Sequence, residues 1–319
     1  MTTSIIEKPS ELNSDMLSRI NSGIIRALKN DCIPWRTHIE PVLLTLAPNR
    51  DIRRQTITGI NRVILNSVSQ RGVWADDDVC QSRNWRTGIT LRIYNETVSS
   101  KLVPQVDAST DEVSDVPVWI VVLEEGIEVF ALESGGVENG LNYQKPDVRD
   151  IRADLRTIIG NMKPRPQYFP LYNDGMYSAR YDTIYMTSRS EFDSESAFWL
   201  EVLRLTILST GHPARLNRFP NRKITFCCGN MDWRCLRERL ISEIVIWRLS
   251  VRYGLTDALN DRVGAEWLKP IEQRHFLTAD QWLSQIDAYP LLLWSAARQS
   301  ERVLTYFDRL LTCKSATDA

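Results

Sequence analysis

The chain has 319 residues and a mass of 36.8 kDa, with 43% hydrophobic and 25% charged residues, an ordinary composition for a soluble globular protein with room for two domains. A net charge of -1 and a pI near 6.4 exclude a uniformly polybasic nucleic-acid binder. The charge is uneven, however. Basic residues outnumber acidic ones between Arg19 and Lys101, and the balance reverses from Leu102 to Asp154, so a polyanion would meet the N-terminal part.

The first eleven residues read as a tail. They lack the basic and apolar regions of a signal peptide, and no apolar run reaches the roughly 18 residues of a membrane span, so a cytoplasmic protein is expected. "LNSDMLSRINSGIIRALKND" is a helix, with Leu17, Ile20, Ile24, Ile25 and Leu28 at helical spacing, and Pro34 in "CIPWRT" ends it. "PNRDIRRQTITGINRVILNSVSQ" reads as a turn leading into a helix through Ile60, Val63, Ile64 and Val68. "WRTGITLRIYNE" and "VPVWIVVLEEGIEVFALE" are strand-rich, and the polar "VSSKLVPQVDASTDEVSD" between them reads as a loop. A helix-compatible "DVRDIRADLRTIIGNM" and the Pro-rich "KPRPQYFP" make residues 145–170 a linker or boundary. Beyond it come a hairpin, "MYSARYDTIYMTS", with its turn near Tyr181 and Asp182, and three long helices: "SESAFWLEVLRLTILST", "RCLRERLISEIVIWRLSVRYG" and "YPLLLWSAARQSERVLTYFDRLL". The expected fold class is α+β in two domains, 12–144 and 171–313, with a tail at 314–319.

Trp35, Trp74 and Trp85 are interleaved with Arg36, Arg53, Arg54, Arg62, Arg83 and Arg86. That mixture suits single-stranded nucleic acid, where bases stack on aromatics for about 1–3 kcal/mol each and guanidinium groups pair with phosphates. The alternative is tryptophans in the core and arginines on a solvated face. Arg53 and Arg54, just before Gly59-Ile60-Asn61, are the preferred anchor; Gly59 permits close backbone approach, and Asn61 can meet a phosphate or cap the helix. The chain has only three histidines, no G-x-S-x-G and no phosphate loop, so no nucleophilic or nucleotide-hydrolysing site is visible. His38 and His275 read as structural, and His212 as a turn residue. Cys227, Cys228 and Cys235 with His212 lack paired C-x-x-C spacing, and free thiols are the simpler reading. No cofactor is expected.

"YDTIYM", "FDSESAFW", "STGHPARLNR", "RERLISEIVIWRL" and "QWLSQIDAYPLLLWSAARQSERVLTYF", in this order, resemble the C-terminal metallopeptidase-like domain of the ArdC-type antirestriction family of conjugative plasmids and phages. "PWR" at 34–36, "PNRDIRRQTITGINRVIL" at 48–65, "RNWRTGITLRIY" at 83–94 and "GIEVFALESGGVENGL" resemble its N-terminal single-stranded-DNA-binding domain. Ile57 stands where an aromatic is usual, and Arg86 where a lysine is. The resemblance spans roughly Leu12 to Leu311 and implies single-stranded DNA as partner. It also implies an H-E-x-x-H zinc motif on the helix before "STGH", with two carboxylates from a downstream helix.

Zinc needs that motif because residues i and i+4 share a helical face, and its Glu activates the metal-bound water. Here the five positions read Arg204-Leu205-Thr206-Ile207-Leu208. A guanidinium repels a cation and leucines offer no lone pair. Glu238 and Glu243 match the two carboxylates, and either could pair with Arg204 in the degenerate site. The resemblance therefore implies a pseudo-metallopeptidase and not an enzyme. Two other readings stay open: a fertility-inhibition protein that blocks a conjugative or type IV secretion component, and a residual metal-dependent hydrolase.

Overall fold

The computed structural model describes residues 14–37, 41–68, 72–85, 87–106, 113–132, 148–170, 175–219, 225–226, 232–266 and 275–313. Two sheets and a set of helices make a mixed α+β fold. The N-terminal helix α1 (Ser14–Lys29) buries the stripe read from its sequence, Leu17, Ile20, Ile24 and Leu28. A single 3-10 turn, Pro34–Arg36, comes after it.

The first sheet has the order β2-β1-β3-β5-β4. Its strands are β1 (Val42–Leu46), β2 (Ile52–Thr56), β3 (Val73–Asp76), β4 (Thr87–Val106) and β5 (Val113–Leu132). β1 and β3 are parallel, and the crossover they need is made by α2 (Gly59–Asn66). One sheet face carries Leu43, Trp74, Val129 and Ala131, which close with Ile57, Leu65 and Ile93. The other carries Leu44, Ala75 and Phe130 under α3 (Asp77–Arg83), with Val79, Cys80 and Trp85. Asp76 caps α3 by accepting from the Val79 amide at 2.9 Å.

Two expectations for this half are corrected. The stretch after Pro48 is not one turn into a helix. Arg50 takes a left-handed conformation, φ 63°, and closes a β1–β2 hairpin, so Arg53 and Arg54 lie on a strand. The polar segment 98–115 is not all loop either. β4 and β5 continue as an antiparallel ladder as far as Val106 opposite Val113, which satisfies backbone groups that a loop would leave to water.

The second sheet has the order β6-β8-β7-β9: β6 (Gln167–Pro170), β7 (Met176–Ser178), β8 (Thr183–Met186) and β9 (Thr225–Phe226). The β7–β8 hairpin turns where the sequence places it, with Asp182 at φ 49°. Against this sheet lies α5 (Glu195–Ser209), capped by Ser194. Then come α6 (Trp233–Arg252), α7 (Thr256–Glu266), α8 (Ala279–Ala288) and α9 (Leu292–Thr312). Residues 145–170, read as a boundary, contribute α4 (Ile151–Asn161), whose Leu155 and Ile158 are fully buried, and then β6. The largest apolar cluster joins α1, the 3-10 turn and α2 to α4, α5, α6, α8 and α9.

Candidate nucleic-acid interface

α5 is apolar almost all round, and the charges it carries are paired. Leu205 and Leu208 are core side chains. Arg204 donates through Nη2 to Glu201 Oε1 at 2.5 Å, through Nε to Glu201 Oε2 at 3.0 Å, and to the Gly175 carbonyl at 2.6 Å. Arg262 of α7 pairs with the other side of the same carboxylate. Burial alone would raise the Glu201 carboxyl, but Arg204 and Arg262 overturn it and hold it well below the ordinary carboxylate range. The His275 imidazole is desolvated and faces the charges of Arg204, Arg262 and Arg239, so its pKa lies well below the usual histidine value, with Glu201 opposing. The partner of Arg204 is thus Glu201, one turn back on its own helix, and not Glu238 or Glu243.

Those two carboxylates have other partners. Glu238 is 0% exposed and accepts a bifurcated hydrogen bond from Arg218 Nε, at 2.9 Å to Oε2 and 3.1 Å to Oε1. Glu243 accepts from Trp35 Nε1 at 2.9 Å, Arg36 Nε at 2.6 Å and Trp282 Nε1 at 3.2 Å. Trp35 is 3% exposed and meets Trp282 edge-on at 5.7 Å. Arg36 also donates to the Leu277 carbonyl at 2.6 Å. This removes Trp35 and Arg36 from the DNA-binding set, because a buried indole cannot stack on a base and a guanidinium already neutralised gains little from a phosphate. His212 accepts from the Ala214 amide at 3.2 Å, the turn role expected of it.

Asn61 is likewise neither a phosphate contact nor a cap. It donates to the Tyr94 carbonyl at 2.7 Å and accepts from the Tyr94 amide at 2.8 Å, as a neighbouring strand would, at an irregularity of β4. Arg62 is 6% exposed, inside the fold. Trp74 is in the core and Trp85 is half-buried against α3. Arg53, Arg54 and Arg83 are exposed. Arg86, His38, Cys227 and Cys228 lie outside the described residues. Gly59 sits at φ 60° and donates its N–H to Glu301 Oε1 at 2.9 Å.

Beside Gly59 opens a groove of about 780 Å³. One wall is the first sheet, with Leu43, Thr45, Gln55 and the 47%-exposed Ile127. The other is α9, which presents Arg298, Arg302, Tyr306 and Arg309. Their spacing of four, four and three residues keeps them on one helical face, a signal already present in the sequence. Strand register decides between the paired arginines. Arg53 is opposite Thr45 and next but one to Gln55, on the groove side; Arg54 is opposite Leu44, on the α3 side.

The metal-free crystal structure of the ArdC antirestriction protein from plasmid R388 matches 93% of this chain over 98% of its own, at 16% identity and a TM-score of 0.52. Its Mn(II)-bound structure matches with the same coverage, 15% identity and a TM-score of 0.56. The chain has the ArdC fold. No family model and no curated protein matches its sequence. Because the R388 protein is also seen with Mn(II) bound, metal is the natural question for an ArdC fold. Where the resemblance sets H-E-x-x-H, this chain has a guanidinium locked to Glu201 and two core leucines, while Glu238 and Glu243 are consumed by arginines and indoles. Among the described residues no group of three His, Cys, Asp or Glu could hold an ion. These residues do not fit a catalytic metal.

Proposed function

We propose that this protein binds single-stranded DNA in the groove between the first sheet and α9, in an antirestriction-type accessory role. Its zincin-like helices then serve as scaffold. The observation that carries the reading is the row Arg298, Arg302 and Arg309 facing a sheet wall that carries Ile127 and polar Thr45 and Gln55. Arginines on one side meet phosphates, and the sheet wall meets sugar and base. The groove volume of about 780 Å³ is within the range of about 300–1,000 Å³ typical of ligand sites. The ArdC fold supports the antirestriction class. The state of Arg204, Leu205 and Leu208 supports loss of catalysis.

The test is fluorescence anisotropy with labelled single- and double-stranded oligonucleotides over a salt series. Single strands should bind more tightly, with log K falling by about 0.7 per phosphate neutralised for each unit of log salt. Arg302→Ala/Arg309→Ala should abolish most of the binding. Arg53→Ala should weaken it and Arg54→Ala leave it unchanged. No binding at low salt would refute the reading and favour a protein partner in restriction or conjugative transfer. Plating of unmodified phage on a restricting host that expresses the protein tests the antirestriction role.

A further inference from the structure

One acidic residue lines the otherwise basic helical wall of the groove. Glu301 lies one residue before Arg302, and its carboxylate takes the Gly59 N–H at 2.9 Å and Arg248 Nη1 at 2.6 and 2.8 Å. Its side chain stays 25% exposed. A backbone amide and a guanidinium converging on two oxygens is the environment a phosphate would take. We infer that Glu301 is a built-in phosphate mimic that competes with nucleic-acid backbone for the Gly59–Arg248 end of the groove and so sets its affinity. The inference rests on the DNA-binding reading of that groove. Arg248 does not line the groove, so its charge reaches a ligand only through this carboxylate or in its place. The protein as it stands holds the position closed, and an incoming strand must displace the carboxylate or bind without that contact.

Glu301→Gln keeps the shape and an acceptor for Gly59 while adding one net positive charge to the groove. It should raise affinity for a labelled oligo-dT about fivefold at low salt and steepen the log K against log salt slope by about 0.7, one more phosphate neutralised. Asp308→Asn, on the same helix but exposed and paired with Arg252 outside the groove, should change affinity less than twofold. Arg248→Gln should act in the opposite direction and weaken binding, because it leaves the groove carboxylate without its counter-charge. That arm remains informative even if Glu301→Gln lowers the melting temperature. Should wild type bind through Arg302 and Arg309 while Glu301→Gln matches it in affinity and slope, this inference fails and the groove reading stands. Should neither wild type nor Glu301→Gln bind, both fail.

Discussion

Glu201→Gln removes one charge from the ion-pair network between α5 and α7. The carboxylate side chain is 3% exposed and joins Arg204, 9% exposed, to Arg262, 17% exposed. The variant keeps the side-chain volume but leaves two largely buried guanidinium groups with no anion between them. Breaking a buried pair from one side costs about 3–5 kcal/mol, because the remaining charge stays desolvated. For a chain of this size that is roughly 6–10 °C in melting temperature, at about 2 °C per kcal/mol. The pH dependence gives a second check. The folded carboxyl is held below its ordinary value, so its contribution is present above the unfolded value of about 4.3 and is lost as pH falls through the folded one. The gap between wild type and variant should therefore narrow as pH drops below about 4. Thermal melts by circular dichroism from pH 7 to pH 3 measure both. A drop of less than 2 °C at pH 7, or a gap that stays constant to pH 3, would refute the account of α5.

Metal should be irrelevant to this fold: Mn(II), Zn(II) and EDTA should each move the melting temperature by less than 1 °C, and equilibrium dialysis should retain no stoichiometric Mn(II). Asn61→Ala should cost about 1–3 kcal/mol, because it removes both hydrogen bonds that Asn61 makes to the Tyr94 backbone, and urea unfolding would show the midpoint shift without a change in slope.

Much of the helical half was readable because its stripes follow helical spacing. α1, α5, α6 and α9 lie where periodicity puts them, and so does the β7–β8 hairpin. β1 and β3 were not seen, since "VLLTL" and "VWAD" are too short for alternation to be distinctive and become strands only beside each other. The site was less legible. Trp35 and Arg36 have the composition of a base-stacking pair, and only Glu243, 207 residues from Arg36, makes them structural. Glu201 did carry a local signal. A Glu and an Arg three apart on a helix otherwise apolar on every side must satisfy one another or pay desolvation. The groove arginines shared one helical face in the sequence, but their opposite wall lies in the N-terminal half.

The junction at Glu243 has a consequence for how the molecule comes apart. Trp35 and Arg36 from the first forty residues, and Trp282 from α8, converge on one carboxylate of α6. Peeling the N-terminal segment away would strip that anion of two of its donors while it remains enclosed by helices. Detachment and collapse of the helical half are then one event. The chain should melt in a single cooperative transition, with amides of α1 and α6 exchanging at a common slow rate. Neither half, expressed alone, should give a soluble folded product.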